Sequence, residues 1–226
     1  MKALLITIDG PAGAGKTTIS QTLACRLGYH YIDTGALYRG VALAVKEAGL
    51  VPTDDQGLEK LLPSLDLRFE RDGADLVLVL NGRNVSREIR HPEVSMLASA
   101  VSARPVVREF LLTLQQELGS RKRMVFEGRD MGTVVFPDAD IKIYLDADPL
   151  ERARRRHAQV EGGESRQSLN QVSRDMQKRD ANDRNRDVAP LKPATDAFIL
   201  DSSELTIEGV VESILAHIRE TLPPSH

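Results

Sequence analysis

The chain has 226 residues, 41% of them hydrophobic, with 30 Lys and Arg against 33 Asp and Glu. That length suits one α/β domain carrying a smaller inserted lobe, and the near-balanced charge gives no global pull toward nucleic acid or an anionic membrane surface. Aromatics are sparse and Trp is absent, which argues against stacking platforms for single-stranded nucleic acid, and no apolar run is long enough to cross a bilayer.

Ala3 to Ile8 is apolar and branched, the composition of a buried parallel strand. The run ends at Asp9 without the features of a signal peptide. Gly10-Pro11-Ala12-Gly13-Ala14-Gly15-Lys16-Thr17-Thr18 follows, which fits the phosphate-loop pattern of Gly, four residues, Gly, Lys and Ser or Thr. The glycines let successive N–H groups turn toward phosphate oxygens, Lys16 adds a positive charge, and the Thr17 hydroxyl is placed to ligand Mg²⁺. Helical spacing runs from Thr18 to Leu27, with Gly28 as its C-terminal stop. Cys25, the only cysteine, excludes an intrachain disulfide, fits a reducing cytoplasm and is expected to be a buried, inert thiol. The histidines lack metal-ligand spacing, so no zinc site is expected.

Tyr29 to Ile32 reads as a second strand ending at Asp33, which either holds Mg²⁺ through water or caps a helix over Ala36 to Gly49 that carries Arg39. Pro52, Asp54, Asp55 and Gly57 read as a loop. Leu65 to Phe69 and Leu76 to Leu80, with turns at Asp72-Gly73 and Asn81-Gly82, predict a small antiparallel sheet inserted between the second and third core strands. Helices are expected over Glu93 to Val101 and Pro105 to Gly119, with Ser102 as a cap. Met124 to Glu127 is a third buried strand, ending in Gly128-Arg129-Asp130, and Ile141 to Asp146 a fourth, after a turn at Pro137-Asp138.

Asp148-Pro149-Leu150-Glu151 opens a helix whose spacing puts Arg152, Arg155 and Arg156 on one face. After the loose loop Glu161-Gly162-Gly163-Glu164, a second charge-dense helix aligns Arg179, Asp183 and Arg186. Taken singly these are solvated faces. Together, in a chain already committed to phosphate, they point to a lid carrying arginines. Ala197 to Asp201 is the fifth strand, and a final helix lines up Ile207, Val210, Val211, Ile214, Leu215 and Ile218 before Pro223-Pro224 ends it. The expected fold is a P-loop three-layer αβα domain with a five-stranded parallel core sheet, an inserted antiparallel β lobe and an arginine-rich lid. Its parts are a core (about 1–40, 102–150 and 188–222), the lobe (about 41–101) and the lid with its following helix (about 151–187).

Asp33 through Arg39, Gly128 through Ala139, and Arg179 through Asp183 and Arg186 to Leu191 together resemble the bacterial cytidylate kinase family, in order and over nearly the whole chain. The resemblance implies transfer of a phosphoryl group from ATP to CMP and dCMP, with Mg²⁺. The composition leads us to expect a cytoplasmic protein with no nucleic-acid or membrane partner, and a monomer, since no long apolar seam is left without an intramolecular use. The resemblance further implies that Ser99, Arg108 and Asp130 read the cytosine edge. Arg39, Arg129 and Arg186 would hold the acceptor phosphate, Arg179 and Asp183 would approach the sugar, and Asp33 and Thr34 would lie with the acceptor. Arg152 and Arg156 would work near the phosphates with Lys16, Arg129 and Arg186. Two departures stand out: Thr17, where monophosphate kinases often carry Gly or Ser, and Thr34 in place of Ser. A kinase for UMP or AMP shares the same loop and lid. A GTPase is the reading from another class, and Gln177-Lys178-Arg179-Asp180 superficially resembles its guanine-reading motif.

Overall fold

All five residues of β1 (Leu5–Asp9) are buried, as a central parallel strand requires. In this computed structural model, which describes residues 3–73, 75–160 and 168–222, β1 lies between two strands met much later in the chain. The other elements in order are α1 (Lys16–Leu27), β2 (His30–Asp33), α2 (Thr34–Glu47), α3 (Asp55–Leu61), β3 (Leu67–Asp72), β4 (Asp75–Leu80), β5 (Arg83–Asn84), α4 (Pro92–Val101) and α5 (Pro105–Gly119). Then come β6 (Met124–Gly128), β7 (Ile141–Asp146), α6 (Pro149–Val160), α7 (Leu169–Asn185), β8 (Phe198–Asp201) and α8 (Ile207–Thr221). The chain divides into two compact units, residues 1–32 with 119–226, and residues 33–118.

The first unit is built on the five-stranded sheet, ordered β2-β6-β1-β7-β8. β1 runs parallel to β6 and β7, and β7 parallel to β8, with Asp9 opposite Gly128 and Tyr144. One face is covered by α1 and α8, whose Ile19, Leu23, Val210, Val211, Ile214 and Ile218 pack on Ile6, Ile8, Val125, Ile143 and Leu145. Gly28 ends α1 in the left-handed region, φ 65°. Two expectations fail here. Cys25 is exposed, on the face of α1 turned from the sheet. Ile207 is exposed too, because it is the first residue of α8, one turn before the helix meets the sheet.

The second unit places α2, α4 and α5 with the antiparallel sheet β3-β4-β5 around Leu37, Val41, Leu58, Leu78, Leu80, Val101 and Leu111. The stretch read as a loop contains α3. Asp54, taken as a turn signal, is its N-cap and accepts the Gly57 N–H at 3.0 Å. Ser102 does not open α5 but closes α4, its N–H bonded to Ala98 O and its hydroxyl to Ser99 O. The Glu161 to Glu164 loop and Pro223-Pro224 lie outside the described residues.

Candidate active site

The loop between β1 and α1 owes its path to three glycines with positive φ: Gly10 (149°), Gly13 (75°) and Gly15 (89°). At Gly10 the chain passes so close to β7 that a Cβ would stand 1.9 Å from the Leu145 carbonyl oxygen. Gly15 is the N-cap of α1 and supplies no side-chain bond, so the helix opens with free N–H groups, the arrangement that accepts a phosphate.

Lys16 follows at the first helical position, buried, with Nζ donating to Pro11 O at 2.7 Å. Burial, reinforced by the positive charges of Arg129 and Arg179, lowers its pKa to about 7, against the pull of Glu127 and Asp9. Thr17 donates its hydroxyl to Glu127 Oε1 at 2.9 Å, and the Tyr31 hydroxyl donates to the same oxygen at 2.8 Å. Thr18 is exposed.

Helices α6 and α7 pack together through Ala153, Val172 and Met176, with Ala12 of the loop against them. The arginines predicted to share a face have different fates. Arg152 is buried: its Nη1 donates to Ala12 O at 3.0 Å and to Asp180, and its Nε to Ala147 O. Asp180 also accepts the Ala12 N–H, so this pair holds both backbone polar groups of one loop residue. Arg155 bonds Ser202, whose hydroxyl donates to Ala14 O. Arg156 is exposed. Farther along α7, Asp183 Oδ2 accepts from Arg129 Nε at 2.9 Å. Arg186 lies one residue beyond the helix, bonded to Ala189 O and, at 3.2 Å, to Asp130 Oδ1.

Thus Lys16, Arg129, Asp130, Arg179, Asp183 and Arg186 fall within one compact unit, linked in part by direct ion pairs. Five predicted residues, Asp33, Thr34, Arg39, Ser99 and Arg108, belong instead to the unit 33–118. There Asp33 caps α2 through the Ala36 N–H and pairs with Arg39 at 2.6 Å. Thr34 is buried. The Arg108 guanidinium lies 5.6 Å from the Tyr38 ring centre and donates to Ser102 O, and the Ser99 carbonyl accepts from Ser102.

Sequence reasoning missed three residues. Glu127 was read as part of a buried strand, although a carboxylate at the carboxyl end of an apolar strand is a usable signal. Asp180 was hidden in a charge-dense run. Asp9, also at a strand end, accepts the N–H groups of Met131 and Gly132 at 2.9 and 2.8 Å, and burial pushes its carboxyl up to about 6.

A phosphate loop on a parallel α/β sheet, backed by cations, is the mark of a P-loop protein that handles nucleotide phosphates. The overall fold is like that of an uncharacterized protein from Eubacterium ventriosum, TM-score 0.54 at 12% identity, covering 95% of this chain and 98% of that one. The family model for cytidylate kinase matches residues 6–220. The chain is 45% identical to a cytidylate kinase of Geobacter sp. strain M21 over 97% of its own length and 94% of the relative's. A cytidylate kinase of Vibrio cholerae is 46% identical over 96% of this chain and 97% of its own. This chain belongs to the cytidylate kinase family.

Proposed function

We propose that this protein catalyses transfer of the γ-phosphoryl group of ATP to CMP, and to dCMP, giving CDP or dCDP and ADP. The observation that carries this reading, beside family membership, is the gathering of Lys16, Arg129 and Arg179 in the unit that also holds Asp130. A phosphate acceptor is already an anionic nucleophile, so the protein is asked for positive charge and alignment instead of a general base. Lys16 and the N–H groups opening α1 serve the donor phosphates. Arg129, held by Asp183, and Arg186 serve the acceptor phosphate with two-pronged geometry, and Asp130 accepts from the cytosine amino group where uracil has a carbonyl. Arg179 and Asp183 face the sugar. Asp33, Thr34, Arg39, Ser99 and Arg108 are carried to CMP by the family resemblance alone. Arg156 keeps its proposed place near the phosphates, and Arg152 is proposed to act there through the loop residue it holds.

Mg²⁺ fits the residues present. The Thr17 hydroxyl and the Glu127 carboxylate form a small, hard oxygen set, enough for an ion that keeps waters and phosphate oxygens as its other ligands. When bound it neutralises charge on the transferred phosphates. We place its protein contacts at Thr17 and Glu127 in preference to Asp33, whose two oxygens are engaged in the cap and the Arg39 pair.

The proposed division into core, acceptor lobe and lid follows the boundaries read from the sequence. A cytoplasmic location and a monomeric state are proposed, and sedimentation of the purified protein checks the second. Among the described residues no helix is long and apolar enough to cross a membrane. Gln177 to Asp180 lies inside α7, away from the end of any strand, which removes the likeness to a guanine-reading motif.

The deciding assay follows ADP formation from ATP and Mg²⁺ with CMP, dCMP, UMP, AMP or no acceptor, resolving the products by chromatography. Strong conversion of CMP to CDP is expected. Acceptor-independent hydrolysis, or a preference for UMP or AMP, would displace the proposal. A second expectation concerns protons. Because Lys16 titrates near 7 without nucleotide, phosphate binding restores its ammonium form, so ATP binding at about pH 8 takes up a proton. Calorimetry in buffers of different ionisation enthalpy reads this directly, and a binding enthalpy independent of the buffer contradicts it.

A further inference from the structure

Directly after Asp130 the chain makes one turn of π-helix, Met131–Val135, with Asp130 at its N-cap position. An aspartate there ordinarily turns its carboxylate back onto the first free N–H groups of the turn. Asp130 makes no such bond, and its Oδ1 meets Arg186 instead. The N–H groups it leaves are taken by Asp9: Met131 N–H donates to Oδ1 and Gly132 N–H to Oδ2. Asp9 is 4% exposed and reaches this turn from the end of β1.

We infer that Asp9 is a surrogate cap that sets base selectivity: by occupying both N–H groups, it keeps the Asp130 carboxylate off its own turn and in the position where it pairs with Arg186 and meets cytosine. The inference rests on the reading of Asp130 as the residue that meets the base. Three observations support it. The turn is pinned from below, since a Cβ on Gly132 would stand 3.1 Å from Thr7 Oγ1 and 3.3 Å from the Lys142 side chain, so the backbone has little room to carry its N–H groups elsewhere. Met131 and Gly132 are buried, so water is a poor substitute acceptor, and an unsatisfied buried N–H is costly. The charges on Asp9 and Asp130 also repel each other, which discourages Asp130 from approaching those N–H groups while Asp9 holds them. With the Asp9 side chain gone, Asp130 stands at the N-cap position with those N–H groups unclaimed, and capping its own turn withdraws its carboxylate from the base. Asp9 is therefore a positioning residue, acting through another side chain.

The test is a double-mutant cycle in the full chain: Asp9→Ala, Asp130→Ala and the two combined, with kcat/KM for CMP and for UMP, KM for ATP, and the melting temperature of each. Asp130→Ala is expected to lower the CMP-over-UMP preference about ten- to a hundredfold, the worth of one hydrogen bond to a charged group. Asp9→Ala should come within about threefold of that loss, the double variant should lose little more than either single one, and KM for ATP should change less than about threefold. A merely structural role for Asp9 would lower activity toward CMP and UMP alike and leave their ratio at the wild-type value, which would overturn the inference. So would a double variant whose loss is the product of the two single losses. If Asp9→Ala does not fold, Asp9→Asn carries the test: its amide puts an NH₂ donor where one of the two acceptor oxygens stood, so the two N–H groups no longer each have an oxygen, and an unchanged ratio in that variant is equally fatal. Should Asp130→Ala itself leave the ratio unchanged, the base assignment falls and this inference with it. If Asp130→Ala relaxes the ratio and both Asp9 variants keep it, only the inference falls.

Discussion

Lys16→Ala is expected to reduce CDP formation by about a thousandfold or more, the scale seen when a preorganised charge facing a transferring group is removed. Lys16 is buried at the first position of α1, beside the N–H groups that Gly15 leaves uncapped, so no exposed lysine can take its place. The same burial, with Arg129 and Arg179 close enough to depress its pKa, means that the empty protein gives up a poorly solvated cation when Lys16 is removed. The variant should therefore remain folded, its melting temperature close to that of the parent, with the loss confined to the reaction. Steady-state assay with CMP and a thermal melt on the same sample separate the two effects. A variant within tenfold of wild type would mean that Lys16 does not face the donor phosphates.

Gly10→Ala should act in the opposite way, on the fold before the chemistry. The added methyl would stand 1.9 Å from Leu145 O and 3.0 Å from Leu145 C, both backbone atoms of a central strand, at φ 149°. No rotamer relieves a Cβ clash, so either β1 or β7 shifts or the loop changes course. A destabilisation of about 4 kcal/mol or more is expected, at the severe end for a single substitution, and urea unfolding measures it. Gly82 provides the control. It also has positive φ, 78°, but a Cβ there meets nothing within 4 Å, so alanine should cost only about 1 kcal/mol. Equal midpoints for the two variants would show that the close approach to Leu145 is not a constraint.

Much of this architecture is legible in the chain because local rules and tertiary demands agree. The phosphate loop has its strand, its glycines and its helix in sequence, and each strand of the five-stranded sheet ends at an aspartate or a glycine. What resisted reading shares one cause, a residue type with two ordinary uses. Asp54 is as good a helix cap as a turn former, and choosing the turn hid α3. Arg152 sits at a helical spacing shared with Arg155 and Arg156, but periodicity cannot tell that it points into a buried pair with Asp180 while Arg156 faces outward. Arg186 fits the spacing of α7 and yet lies past its end, in an extended conformation, where it reaches Asp130. The Asp9 contacts with Met131 and Gly132 span more than 120 residues of chain, and no local pattern announces them. The bond from Thr17 to Glu127 is of the same kind.

The strand order also governs how the chain is made. β1 is synthesised first, but its partners on either side are residues 124–128 and 141–144. Until those partners are made, Leu5 to Asp9 has both edges unpaired. Residues 33–118 form a contiguous unit whose core lies within itself, so it can close while β1 still waits. The floor beneath Gly10 is completed only when Leu145 leaves the ribosome, so until then the nascent chain carries an exposed hydrophobic strand of the sort that invites chaperone binding.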